Sequence, residues 1–246
     1  MRSVELLGVE GLPEVRPGDD LGMLIAVHAL FEAGDVLVVA QKVVSKSEGR
    51  LIDLATVTAS ADAVRIAAGL IALPDPRMVQ VVLDESVRVL RSERVLITET
   101  RQGFVCANAG VDHSNTGAAD VVTMLPLDPD ASASRMRDRI RDVSGKEVGV
   151  IVSDTFGRPW RLGIQNVALG VAGLPAVVDL RGTTDDNGRP LHATVLAVAD
   201  DVAAAAGMVM GKTRRTPAVI VRGLGLQGVA GSGRDLIRPA AEDLFR

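Results

Sequence analysis

Three polar segments in an otherwise aliphatic chain carry the residue types that chemistry needs: QKVVSKSEGR (41–50), NAGVDHSN (108–115) and SDTFGRPWRLG (153–163). In the second, Asn108, Asp112, Ser114 and Asn115 supply hard oxygen donors and amides around Gly110, whose missing side chain permits a tight turn. In the third, Asp154 and Thr155 close a predicted strand with a carboxylate and a hydroxyl suited to magnesium or manganese, and Arg158 and Arg161 have the planar fork that grips phosphate or carboxylate. Each segment also has a plainer reading. The second makes an ordinary Asx-rich turn, the third an aspartate turn with solvated arginines, and Trp160, the one tryptophan, serves equally as a core plug or a ligand platform. Taken together, carboxylates on two segments and several separated cations suit phosphoryl transfer, in which a protein mainly positions groups and neutralises charge. The three histidines are dispersed and Cys106 is alone, which disfavours a soft-metal site, and no serine sits in a nucleophile elbow.

Two glycine patterns point elsewhere and are weak. AGMVMGKT (206–213) fits a relaxed phosphate loop, but that mechanism needs a strand before the glycines and a helix after them, and here a helical pattern comes first and Pro217 with a strand follows. A helix C-terminus closed by Gly211, with Lys212 at the negative dipole end, accounts for it better. GLGLQG (223–228) spells a dinucleotide fingerprint, yet glycine-rich chain follows it where a helix and a second strand are required. A surface loop is the better account.

The elements that must hold these segments follow from periodicity. DDLGMLIAVHALFEAG reads as a helix ending at Gly34, DVLVVA as a buried strand that opens into 41–50 as a loop, and ASADAVRIAAGL and DPRMVQVVLDESVRVL as helices. RVLITET and FVCANAG form a hairpin, SASRMRDRIRDVSG a helix, and EVGVIVSD a strand whose last residues are Ser153 and Asp154; AVADDVAAAAGMVMG is helical and PAVIVRG extended. Irregular alternation with a hairpin favours an α+β arrangement over a purely parallel doubly wound sheet.

With 246 residues, 47% hydrophobic, the chain has apolar material for one compact domain or two small ones. A formal charge of −4 with scattered basic residues argues against nucleic acid or an anionic membrane as partner. The N-terminus lacks the apolar core of a signal peptide, no apolar run is long enough to span a bilayer, and one cysteine makes no internal disulfide, so a reducing cytoplasm is expected.

The motifs GLPEVRPGDDL, GDVLVVAQKVVSKSEGR, NAGVDHSN, LDPDASA, VGVIVSDTFGRPWRLG, VADDVAAAAGMVMGK and PAVIVRGLG occur in one order, and that order resembles the coenzyme F420-0:L-glutamate ligases, the CofE family, from about Gly8 onward. The family also occurs as the first half of a longer actinobacterial protein with a flavin-binding second half, and RDLIRPAAEDLF resembles the junction there. The resemblance implies a CofE-like mixed sheet-and-helix fold, with residues 1–246 forming one ligase unit of two intimately packed subdomains. It implies GTP-dependent addition of L-glutamate to the carboxylate of the F420-0 lactyl tail through an acyl phosphate, followed by γ-glutamyl extension. It also implies a cytoplasmic homodimer, with magnesium or manganese and a monovalent cation such as potassium as cofactors. By the same resemblance, Asp112 and Asp154 hold one divalent metal, Thr155 helps to hold a second, and Asp112, Asp154 and Arg158 form the catalytic set. GTP contacts carry over to Leu12, Pro13, Glu14, Val15, Gln41, Lys42, Lys46 and Asn115, and to the segment from Met210, Gly211, Lys212 and Thr213 to Pro217. Two positions depart from archaeal members: Lys212 stands where they place a metal-binding glutamate, and Phe156 where they carry a polar residue. Lys212 therefore either touches phosphate or leaves the second site to be rebuilt from other oxygens. The alternatives are a non-catalytic deazaflavin or nucleotide binder and a metal-dependent phosphohydrolase.

Overall fold

A computed structural model describes residues 3–72, 75–114, 120–226 and 228–243. In chain order the elements are β1 (Glu5–Gly8), α1 (Leu21–His28), β2 (Val36–Ala40), α2 (Gln41–Ser47), β3 (Leu51–Asp53), α3 (Ala61–Ala67), α4 (Pro76–Asp84), β4 (Ser86–Arg91), β5 (Ile97–Thr100), β6 (Val105–Ala107) and β7 (Val121–Thr123). After them come α5 (Pro129–Ser144), β8 (Gly149–Arg158), β9 (Arg161–Ala172), β10 (Val178–Asp179), β11 (Val195–Leu196), α6 (Val198–Met210) and β12 (Ala218–Arg222). The arrangement is α+β, as the irregular alternation of elements implies.

The main sheet has the order β1-β12-β2-β8-β9, with β2 and β8 its one parallel pair. Val36–Val39, Gly149–Val152 and Ala218–Val221 are buried, as continuous β-branched runs covered on both faces should be. Strand alternation divides them: Leu37, Val39, Val150, Val152 and Ile220 pack with Ile25 of α1 and Ile140 of α5, while Val38, Ile151, Val219 and Val221 pack with Ala203 and Ala206 of α6. A separate core, built from α3, α4, Leu96, Ala109, Val111 and Val122, fills the segment between about residues 52 and 124, inserted between α2 and α5. This inserted segment is referred to below as the inserted subdomain.

Capping fixes several boundaries. Asp20, Ser60, Asp75 and Asp128 each accept a backbone N–H in the first turn of α1, α3, α4 and α5, and Gly145 closes α5 in the left-handed region. Asp130 joins three elements: its carboxylate accepts from Val171 N and Gly233 N, each at 2.8 Å, and from Ser232 Oγ.

Four expectations are corrected. The first helix ends at His28, because Phe31 turns inward to the core and Gly34 belongs to a turn that places Asp35. Residues 41–50 open as a helix: Gln41 and Ser45, both buried, satisfy each other one turn apart at 2.8 Å. The helix expected over DPRMVQVVLDESVRVL stops at Asp84, and Ser86–Arg91 pairs with β5 instead. Finally, β8 does not end at Asp154 but continues to Arg158, so that SDTFGRPWRLG is the end of a long hairpin with β9.

Candidate active site

Register places the first charged groups side by side. Ala40, the last residue of β2, pairs with Ser153, midway along the parallel strand β8. Gln41 and Lys42, which open α2, and Asp154 and Thr155, the next residues of β8, therefore start from neighbouring points where β2 ends.

Asp112 arrives from the inserted subdomain. It exchanges both backbone hydrogen bonds with Thr123, at 3.0 and 2.8 Å. The turn before it, Asn108, Ala109 and Gly110, has φ of 55°, 50° and 70°. Two non-glycine residues in succession in the left-handed region store strain of the kind that persists where a site demands it. Lys42 Nζ then donates to Asp112 Oδ2 at 2.6 Å and to Ser114 O at 2.8 Å, while Ser114 N donates to Asp112 Oδ1 at 2.7 Å.

The two aspartates have opposite electrostatics. Burial opposes ionisation of Asp112, but the hydrogen bonds and charge of Lys42 and the Ser114 amide outweigh it and hold the carboxyl below its ordinary range. Burial dominates at Asp154, assisted by the negative charge of Asp112, and raises it to about 6 against the pull of the Thr155 amide, Lys212 and Lys42. Asp112 and Asp154 thus lie within electrostatic reach of one another at the junction of the two subdomains. Cys106 of β6 feels the same carboxylate: burial first, then the charge of Asp154, pushes its thiol up to about 12. On the neighbouring strand position, Thr155 Oγ1 accepts from Lys212 Nζ at 2.5 Å.

The other predicted contacts are distributed around this cluster. Lys46 Nζ bonds Glu14 Oε1, and Arg215 lies 4.0 Å from Glu14 Oε2, which brings the 12–15 segment, α2 and the 210–217 segment together. Gln41, Val15 and Met210 have buried side chains, and Met210 Sδ accepts from Asn166 Nδ2 at 3.5 Å. Leu12 packs against the core and Pro13 is exposed. Gly211 closes α6 at φ 56°, and Lys212 and Thr213 are exposed beyond it, so AGMVMGKT is a helix C-terminus. Arg158 stands four residues beyond Asp154, roughly 13 Å along an extended strand, with Gln165 Oε1 as a partner. Trp160 is no core plug: it is 84% exposed at the hairpin tip, with φ 57°. Asn115 lies outside the described residues. Residue spacing offered no signal for Cys106 or Arg215, because only the tertiary fold brings them near the cluster.

The donor set fits one hard divalent ion. Two carboxylates lie within electrostatic reach of each other, one of them with its charge opposed by burial, and the Oδ1 of Asn108, in the turn leading to Asp112, is buried without a partner among the described residues. Among the described residues no group of three His, Cys, Asp or Glu side chains gathers anywhere, so an ion held by these two carboxylates would take its remaining oxygens from other donors such as substrate phosphates or water.

Residues 11–223 match the family model for F420-0:Gamma-glutamyl ligase. The chain belongs to that family. Full-length relatives agree: it is 43% identical over 249 residues to the coenzyme F420:L-glutamate ligase of Methanocaldococcus jannaschii, covering 100% of this chain and 98% of the relative. It is 46% identical to the ligase of that name from Methanopyrus kandleri, covering 100% of both, and 45% identical to that of Archaeoglobus fulgidus, covering 99% and 96%. The protein is accordingly an enzyme, a ligase. Among the described residues of this ligase, no helix is long and apolar enough to cross a membrane.

Proposed function

We propose that this ligase joins the amine of L-glutamate to the carboxylate on the lactyl tail of coenzyme F420-0 and then extends the product through γ-linkages, with GTP activating each carboxylate. The observation that carries this reading is the convergence of Lys42, Asp112, Asp154 and Lys212 where β2 ends beside the middle of β8, in a chain so similar to F420:L-glutamate ligases.

A carboxylate is a poor electrophile until one of its oxygens becomes a leaving group. In the first step that oxygen attacks the γ-phosphorus of GTP and GDP departs; in the second the glutamate amine attacks the acyl carbon, phosphate leaves, and the amine loses a proton. Both steps bring anions together, so fixed cations lower their repulsion and hold them in line. Lys42, tied to Asp112 and Ser114, and Lys212, tied to Thr155, both place ammonium groups within electrostatic reach of Asp154. Lys46 and Arg215, paired with Glu14, line the approach from the first loop. Magnesium or manganese bound by Asp112 and Asp154 supplies further charge neutralisation at the phosphates. The reading includes a cytoplasmic homodimer, supported by the hairpin arm on which Trp160, Leu162 and Ile164 are all exposed.

Mass spectrometry of the deazaflavin after incubation with GTP, L-glutamate, manganese and potassium tests the reading. An increase of one or more glutamyl units is expected. Phosphate release from GTP that needs no glutamate, with no change in deazaflavin mass, would make the protein a phosphohydrolase; binding without turnover would make it a carrier.

A further inference from the structure

We propose that Lys212 is a fixed cation of the active site that fills the position beside Thr155, so that this ligase operates with a single divalent ion. The inference rests on the reading of Asp112 and Asp154 as the ligands of that ion, and it concerns what stands next to it.

Consecutive residues of a strand point to opposite faces, so Asp154 and Thr155 address different sides of β8. Asp154 has a second carboxylate, Asp112, within electrostatic reach. On the Thr155 side no further carboxylate completes a ligand group among the described residues, and the hydroxyl already accepts from Lys212 Nζ at 2.5 Å. A divalent ion at that hydroxyl would meet an ammonium group as its neighbour, and the repulsion between the two cations opposes its binding.

The backbone from which Lys212 departs is also fixed. Met210, the last residue of α6, is buried in the core, and Gly211 N–H closes the helix on Gly207 O at 3.2 Å. Lys212 leaves from this fixed point at the helix C-terminus, where partial negative charge favours a cation. A triphosphate entering the site meets two ammonium groups and one metal ion in place of two metal ions.

Manganese titration in the presence of a non-hydrolysable GTP analogue, followed by electron paramagnetic resonance, tests this without reference to turnover. The wild-type protein is expected to saturate at one ion per chain with the spectrum of an isolated ion. Lys212→Glu should take up two and show spin coupling between them; Lys212→Met should weaken binding of the analogue by roughly tenfold, as loss of one charge-assisted contact does. A wild-type protein that binds two coupled ions overturns the proposal, as does a folded Lys212→Glu variant that binds the analogue yet holds one ion. Asp154→Asn separates the two layers. If it weakens manganese binding while the wild type holds two ions, only the role of Lys212 falls; if it leaves manganese affinity unchanged, the metal assignment itself falls and Lys212 with it.

Discussion

Lys42 and Asp112 form a 2.6 Å ion pair across seventy residues of sequence, the lysine from the helix that follows β2 and the aspartate from a strained turn of the inserted subdomain. This contact links the two cores at the candidate site. Lys42→Met is expected to lower ligation by about 100-fold or more, as removal of one preorganised electrostatic donor does. It should destabilise the protein by only about 1–3 kcal/mol, since it leaves a half-buried carboxylate without its main partner. Kinetics beside urea denaturation would distinguish this from simple unfolding.

Asp154 should make the metal-free protein less stable as pH rises. Its folded-state pKa is raised from 3.8 to about 6, so between those values the folded protein keeps a proton that the unfolded chain has released. Stability attributable to this group is greatest below pH 3.8 and is lost as pH climbs through about 6. The loss is at most about 3 kcal/mol and smaller to the extent that solvent reaches the side chain. Asp154→Asn should abolish ligation while removing this pH dependence from Tm, and manganese should raise the Tm of the wild type above that pH but not of the variant. A variant that retains full activity would end the metal assignment.

Gly110→Ala tests whether the strained turn is needed to deliver Asp112. At φ 70° an alanine is disfavoured, and its Cβ would lie 2.6 Å from the buried Leu125 side chain. A loss of about 2–4 kcal/mol is expected from strain and overpacking together. Gly163→Ala, at φ 87° with open space around it, isolates the conformational cost alone and should lose only about 1 kcal/mol. Thermal denaturation of the two variants makes the comparison, and equal losses would remove the packing explanation.

Much of the sheet was legible in the sequence because β2, β8 and β12 are short apolar β-branched runs, and burial on both faces is what such runs require. The helix at Gln41–Ser47 was hidden because its buried residues are partly polar, and only the fold reveals that Gln41 and Ser45 satisfy each other. The far half of β8 was hidden for the opposite reason: residues 154–158 gain strand structure by pairing with β9 and not by apolar pattern. Asp112 and Asp154 were recognisable as oxygen donors from their own segments, but no local pattern could place Lys42 against one or Lys212 against the neighbour of the other, since such contacts exist only after the two cores dock.

Arg222 supplies a stability prediction remote from the chemistry. Its guanidinium makes two bonds to the buried Asp35 carboxylate, at 2.9 and 2.8 Å, and these raise its own pKa still further. Arg222→Met should cost about 3–5 kcal/mol by stranding a buried charge. The double variant with Asp35→Asn should lose less than the single one, a coupling that a double-mutant cycle in urea would measure; strict additivity would count against the pair.

The hairpin tip gives the protein a spectroscopic reporter. With Trp160 its one tryptophan and no tyrosine anywhere, its near-ultraviolet emission comes almost wholly from a side chain that is 84% exposed. Emission should therefore be red-shifted and readily quenched in the isolated chain, and a blue shift on raising concentration, or on adding deazaflavin or nucleotide, would mark what comes to rest against the arm without any label.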